Sequence, residues 1–141
     1  MKIKQLTTVN QKVLNKINSL LPELFENASV LSLQQLEEMI NDDNTTIFIA
    51  EENEEIIGML TFVIYRIPSG LKAWIEDVVV DKEYQGKGIG KILVQRAIDY
   101  AKELGINKID LTSSLFRVAA NILYPKLGFK KRETNVYRLE I

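Results

Sequence analysis

The chain has 141 residues and a mass of 16.1 kDa, with 18 Lys+Arg against 19 Asp+Glu and neither histidine nor cysteine. Its length suits one domain, residues 1–141, and 46% apolar residues with only three prolines exclude a disordered chain. Without cysteine there is no disulfide framework, thiolate zinc site or cysteine nucleophile, and without histidine no Ser-His-Asp or Cys-His triad, so acid–base chemistry falls to carboxylates, tyrosine, lysine, water and backbone groups.

A net charge of −1 and a pI near 5.6 argue against nucleic acid as a partner. The longest apolar stretch, residues 56–65, falls well short of the ~20 residues of a spanning helix. The N-terminus lacks the continuous apolar run of a signal peptide. A cytoplasmic protein with no membrane partner is expected, and a homodimer is left open beside a monomer.

In chain order, residues 1–6 suit a short edge strand. Val13, Leu14, Ile17, Leu20, Leu21, Leu24 and Phe25 recur at helical spacing, with Pro22 expected to kink or break that helix. Ser32 followed by Gln35 resembles a capping box that opens a second short helix. Residues 47–50 and 56–66 read as a hairpin across a polar turn, 67–73 as a loop, and 74–81 as a strand covered on both faces. A glycine-rich turn leads into a long amphipathic helix that stops at Gly105. A strand at 108–112, a helix at 116–127 and a last strand at 135–140 follow. The expected fold is α/β (α+β): one mixed, mostly antiparallel sheet with a single parallel pair and helices on both faces.

The informative segment runs through Val78, Val79, Val80, Asp81, Lys82, Glu83, Tyr84, Gln85, Gly86, Lys87, Gly88, Ile89, Gly90 and Lys91. A hydrophobic strand enters a loop with three alternating glycines, and the loop opens a helix. Such a loop aims backbone N–H groups at an anion, the helix N-terminus adds partial positive charge, and glycine allows close approach. Lys87 and Lys91 add charge, so a phosphate or pyrophosphate ligand is indicated; an ordinary strand–helix turn is the plainer alternative. The P-loop pattern fails, because Ile92 follows Gly90-Lys91 and Gln85 stands where its first glycine belongs. The dinucleotide pattern Gly-x-Gly-x-x-Gly fails from either Gly86 or Gly88.

The spacing Gln85-x-x-Gly88-x-Gly90 resembles the acyl-CoA signature of the GNAT superfamily of N-acetyltransferases. A second block resembles it too: Leu111-Thr112-Ser113-Ser114, Arg117, Ala120, Asn121, Leu123, Tyr124 and Leu127-Gly128-Phe129. The resemblance implies acetyl-CoA as cosubstrate, no metal, and acetylation of a primary amine by direct attack. A small-molecule amine is the expected acceptor; a protein lysine or N-terminus, or acyl-CoA sensing without turnover, are the alternatives. It further implies that the backbone N–H groups of Gly86, Lys87, Gly88, Ile89, Gly90 and Lys91 hold the pyrophosphate, with Gln85 belonging to the same cofactor site. Val78, Val79 and Val80 would pair with the pantetheine arm, with a backbone N–H near Val79 facing the developing oxyanion. Asn121 would contact CoA by its side chain, and Tyr124 would be the general acid.

The base must be a carboxylate or a water chain. Glu76 is favoured over Asp77 and Glu51. Simple alternation puts Trp74, Glu76 and Val78 on one face and Asp77 and Val79 on the other. Structural alternatives stand beside these roles: a core aromatic for Tyr124, a salt bridge for Glu76 and Asp77, a solvated turn for residues 51–55, packing for Trp74, and a helix cap or CoA phosphate contact for Arg117. Pro125 disfavours α geometry at Tyr124 and removes the N–H that would bond the Asn121 carbonyl.

Overall fold

The computed structural model describes all of residues 1–141. Strand β1 (Lys2–Gln5) leads to helix α1 (Gln11–Leu20), which opens where the Asn10 side chain accepts the Val13 N–H at 2.9 Å. Pro22 ends it as expected, with a 3₁₀ turn over Leu21–Glu23. Helix α2 (Leu33–Asn41) begins with both capping-box bonds, Gln35 N–H to Ser32 Oγ at 3.1 Å and Ser32 N–H to Gln35 Oε1 at 2.9 Å.

Strands β2 (Thr45–Glu52), β3 (Glu55–Ile67) and β4 (Gly70–Val80) form an antiparallel meander. Residues 67–73 are therefore not a loop. Pro68 and Ser69 make a tight turn, and Ile67 pairs directly with Gly70. After helix α3 (Ile89–Glu103), strand β5 (Ile109–Asp110) returns parallel to β4, and helix α4 (Val118–Lys126) follows. The five-stranded sheet runs in the order β1-β2-β3-β4-β5, mixed with a single parallel pair.

Each sheet face is covered. On one, Leu14, Ile17, Leu20 and Leu36 pack on Ile47, Ile49, Met59 and Val79. On the other, Ile89, Leu93, Val94, Ala97 and Tyr124 pack on Phe48, Leu60, Phe62, Ala73 and Ile75. Burial of apolar stripes from helices on both faces is what holds the sheet.

Strict alternation fails in β4. Met59 pairs with Val79 and Thr61 with Glu76, so Leu60 alone faces Asp77 and Val78, a β-bulge. Before it, Ala73 and Ile75 point into the α3 core; after it, Val78 and Val80 do, while Val79 turns to the α1–α2 core. The bulge moves Val78 to the opposite face from the one alternation gives it. Asp77 takes φ +50°, the left-handed region, which costs a non-glycine residue about 1 kcal/mol or more.

Beside the bulge the sheet depends on Gly58. A Cβ there would lie 3.0 Å from the Val79 carbonyl oxygen and 3.3 Å from Leu93 Cδ1. Gly58→Ala is expected to destabilise the fold by about 1–3 kcal/mol, seen as a lower midpoint in chemical denaturation, because backbone has to move. An unchanged midpoint would show that α3 rides freely over this strand.

The C-terminal expectation is corrected. No strand forms over residues 135–140, and no backbone group after Phe129 bonds another backbone group of the chain. The sheet ends at β5, which is shorter than residues 108–112 because it pairs with β4 only at Ile109 and Asp110.

Candidate active site

The end of β4 is anchored before the chain turns. The Asp81 carboxylate accepts from Lys16 Nζ on α1 and from the Glu83 N–H at 3.1 Å. These two bonds hold its pKa below the usual carboxylate value, so their contribution is present above about pH 4 and is lost as acid protonates the folded state. A 3₁₀ turn, Lys82–Tyr84, follows, and the Gln85 side chain donates back to the Val80 carbonyl at 3.0 Å. Gln85 thus ties the loop to the strand that it leaves.

Gly86 and Gly88 then take φ +77° and +80°, and Gly88 is the left-handed N-cap of α3. None of the six consecutive N–H groups of residues 86–91 donates to another atom of the chain; the first helical bond runs from Ile92 to the Gly88 carbonyl. Ile89 is buried and fixes the helix start in the core. Nothing lies within 4 Å of a Cβ built on Gly86 or Gly88. The result is an open row of donors at a positive helix end, with Lys87 over the Tyr84 ring at 4.8 Å and Lys91 exposed beside it.

This cradle adjoins a gap in the sheet. The last β4–β5 pair is Trp74 with Asp110, so β4 runs from Ile75 to Val80 with no strand along that edge. Helix α4 lies alongside. The Cβ position of Gly90 is 3.9 Å from Val80 Cγ2 and 4.0 Å from Leu123 Cδ2, so the glycine loop, the end of β4 and α4 meet there. Arg117 spans the gap, its Nη2 donating to the Val78 carbonyl at 3.2 Å. Arg117 precedes α4 but its side chain does not cap the helix, and it has no carboxylate partner. Asn121 Nδ2 donates to the Ser114 and Arg117 carbonyls, both at 2.9 Å, and so fixes the loop that carries Arg117.

Tyr124 projects from α4 into the α3-side core and is 8% exposed. Its ring meets Phe129 edge-on at 5.8 Å, and its hydroxyl is not one of the buried polar atoms left without a partner. Burial raises the phenol pKa, and the nearby Arg117 guanidinium pulls it partly back. Pro125 does not break the helix: α4 continues to Lys126 and closes with Phe129 N–H on the Tyr124 carbonyl and Gly128 N–H on the Pro125 carbonyl. The α geometry at Tyr124 survives, contrary to the expectation from Pro125.

The two β4 carboxylates differ. Glu76 is exposed and makes neither hydrogen bond nor ion pair. Asp77, at the bulge, is half-buried and equally unpartnered, and burial pushes its carboxyl pKa up. Alternation could not find this difference, because the bulge carries no glycine to mark it. The remaining carboxylate, Glu51, pairs with Lys4 at 2.7 Å and Glu55 pairs with Lys12 at 2.8 Å, as expected of a solvated turn. Trp74 is half-buried, with its indole N–H unpartnered. No helix is long and apolar enough to cross a membrane.

The Acetyltransferase (GNAT) family model matches residues 13–129. An uncharacterized N-acetyltransferase from Bacillus subtilis is 35% identical over 101 residues, which are 69% of this chain and 70% of that protein. The glucosamine 6-phosphate N-acetyltransferase of Trypanosoma brucei brucei is 33% identical over 100 residues, 69% of this chain and 65% of that one. A crystal structure of a transcriptional regulator from Bacillus halodurans superposes with a TM-score of 0.84 at 28% identity, over 99% of both chains. The matched region spans only 41–43% of the length of archaeal and mammalian N-acetyltransferase relatives. With that family model matching most of its length, the chain belongs to the GNAT family of acetyltransferases.

Proposed function

We propose that the chain transfers an acetyl group from acetyl-CoA to a primary amine of a small molecule by direct attack in a ternary complex. One observation carries the reading: the six unpaired N–H groups of residues 86–91 lie at the end of an unpaired strand edge, against the helix that carries Tyr124. That arrangement fits a pyrophosphate followed by an amide-bearing arm, donor row first and strand edge next.

The thioester, when bound, supplies an activated acyl group. The chain's own residues do the rest. Residues 86–91 hold the phosphates, assisted by Lys87 and Lys91. The open main chain at Val78, Val79 and Val80 orients the arm, with Arg117 moving off the Val78 carbonyl as the arm enters. An N–H near Val79 faces the oxyanion, and Asn121 steadies the loop at the cleft mouth. Tyr124 holds a proton at Oη for the departing thiolate. As nitrogen bonds the acyl carbon and the carbon–sulfur bond breaks, one proton leaves the amine and one reaches sulfur.

For the amine proton we assign Asp77 in preference to Glu76. Asp77 is half-buried and held at a fixed angle by the bulge, and a carboxyl with a raised pKa is the stronger base. Asp77→Asn is expected to lower kcat about 100-fold with CoA affinity retained, while Glu76→Gln changes neither much. The acid limb of the pH profile should disappear with Asp77 and persist in Glu76→Gln. The reverse pattern would return the base to Glu76.

The small-molecule acceptor rests on the Trypanosoma relative, whose name specifies an amino sugar phosphate. The Bacillus halodurans regulator supports a second reading, an acyl-CoA sensor of the same fold. Both are tested by mixing the protein with acetyl-CoA, a panel of amino sugars and other small amines, and lysine peptides, and measuring free thiol. Release with a small amine is expected. Release only with peptides would move the acceptor to protein lysines, CoA binding without release would favour the sensor, and failure to bind CoA would overturn the cofactor.

A further inference from the structure

The glycine loop leaves the sheet at a joint that is held from a distant part of the chain. Helix α1 is fixed on the sheet by the buried Leu14, Ile17 and Leu20, and Lys16 stands among them on the same helix. Its Nζ donates to Asp81 Oδ2, 65 residues further on, with the two side chains only 27% and 21% exposed. The other lysine of α1, Lys12, pairs with Glu55 at 2.8 Å, but there the side chains are 67% and 53% exposed. Exposed pairs contribute little, whereas a sheltered, charge-assisted hydrogen bond fixes the geometry of what it joins.

What Lys16 joins is the joint itself. The Asp81 N–H donates to the Ile57 carbonyl at 2.9 Å, its carbonyl accepts the Tyr84 N–H at 2.8 Å, and Oδ1 accepts the Glu83 N–H at 3.1 Å. Asp81 is thus held by β3, by α1 and by the turn over Lys82–Tyr84. That turn ends at Gln85, directly before the donor row of residues 86–91, and its Tyr84 ring carries Lys87. The N–H groups of the row bond nothing in the chain, so the turn before it and α3 after it set its direction. Lys82 adds a second, exposed tie to Glu23, in the 3₁₀ turn after α1, at 3.6 Å.

On the reading of that row as the pyrophosphate site, we propose that Lys16 is a positioning residue for the cofactor, acting through Asp81 to hold the turn that aims the row. Without the ammonium, the Asp81 carboxylate stands sheltered and unpaired, a costly state that it leaves by swinging toward water. The turn loosens with it.

Two substitutions separate positioning from plain electrostatics. Lys16→Gln removes a positive charge and Asp81→Asn a negative one, and asparagine keeps an oxygen for the Glu83 N–H. Charges acting on the phosphates through space would shift CoA affinity in opposite directions. Positioning instead weakens it in both, about tenfold each by titration calorimetry, with the double variant no weaker than either single one. The KM for acetyl-CoA should rise by the same factor while kcat at saturation is nearly kept, and Lys16→Arg should restore the KM. Lys12→Gln breaks the exposed pair on the same helix and should leave CoA affinity unchanged. Circular dichroism checks the fold of each variant. In the ligand-free chain, the Glu83 and Tyr84 amides should exchange with deuterium about tenfold faster in Lys16→Gln. If the unaltered chain binds CoA and Lys16→Gln binds it equally well, the proposal is overturned; opposite shifts or additive losses overturn it too. Faster exchange in Lys16→Gln, beside an unaltered chain that binds no CoA, would overturn the pyrophosphate reading and leave the tie between α1 and the turn standing.

Discussion

Gly88→Glu should abolish acetyl-CoA binding while the chain stays folded. The residue caps α3 at φ +80°, among N–H groups that have no acceptor in the chain, and a Cβ there meets nothing within 4 Å. The fold therefore has room for a side chain and pays only for the left-handed backbone, about 1–2 kcal/mol. The ligand fares worse. A carboxylate about 4 Å from one phosphate charge costs about 4 kcal/mol at an effective dielectric of 20, roughly a thousandfold in affinity. Gly88→Ala separates the two effects, because it carries the backbone strain without the charge and should retain most of the binding. Titration calorimetry with CoA reads both variants. If Gly88→Glu binds CoA within tenfold of the unaltered chain, the pyrophosphate does not lie on this loop.

The legibility of that loop contrasts with that of the residue immediately upstream of the valines. Glycines at 86, 88 and 90 were readable because their backbone demands and the helix that follows are local. The capping box at Ser32 and the break at Pro22 were readable for the same reason. The bulge at Asp77 was not: it is set by how β3 and β4 fall into register, and two consecutive carboxylates in a valine-rich strand look alike until one of them is shielded. The turn at Pro68 and Ser69 was read too long because pairing of Ile67 with Gly70 is likewise a property of two strands. Pro125 was read correctly as a missing donor. Three closing bonds from Leu127, Gly128 and Phe129 and the packing of Tyr124 outweigh that loss. At the C-terminus, strand propensity in residues 135–140 was a local reading with no partner in the same chain.

Tyr124→Phe isolates a single proton, since only the hydroxyl is removed and the ring keeps its contact with Phe129. Thermal stability and CoA affinity are thus expected to stay unchanged. The chemistry bounds the size of the kinetic effect. A thiol near pKa 8.5 is a fair leaving group as thiolate, and a phenol near 10 gives up its proton to it uphill by about 2 kcal/mol. Burial raises the phenol further, and Arg117 draws it back toward the thiol. General-acid assistance spans about 10²–10⁴-fold, and this mismatch places Tyr124 near the lower end, so kcat should fall about 100-fold. The loss should be greatest at high pH, where solvent is least able to supply the proton in the tyrosine's place. Arg117→Ala should push the loss of activity further from neutral pH by raising the phenol, and Tyr124→Phe should make that substitution nearly silent, because the two act on one proton. Measuring kcat against pH for the single and double variants decides it. Full turnover in Tyr124→Phe would remove the acid role and leave the tyrosine as a core aromatic only.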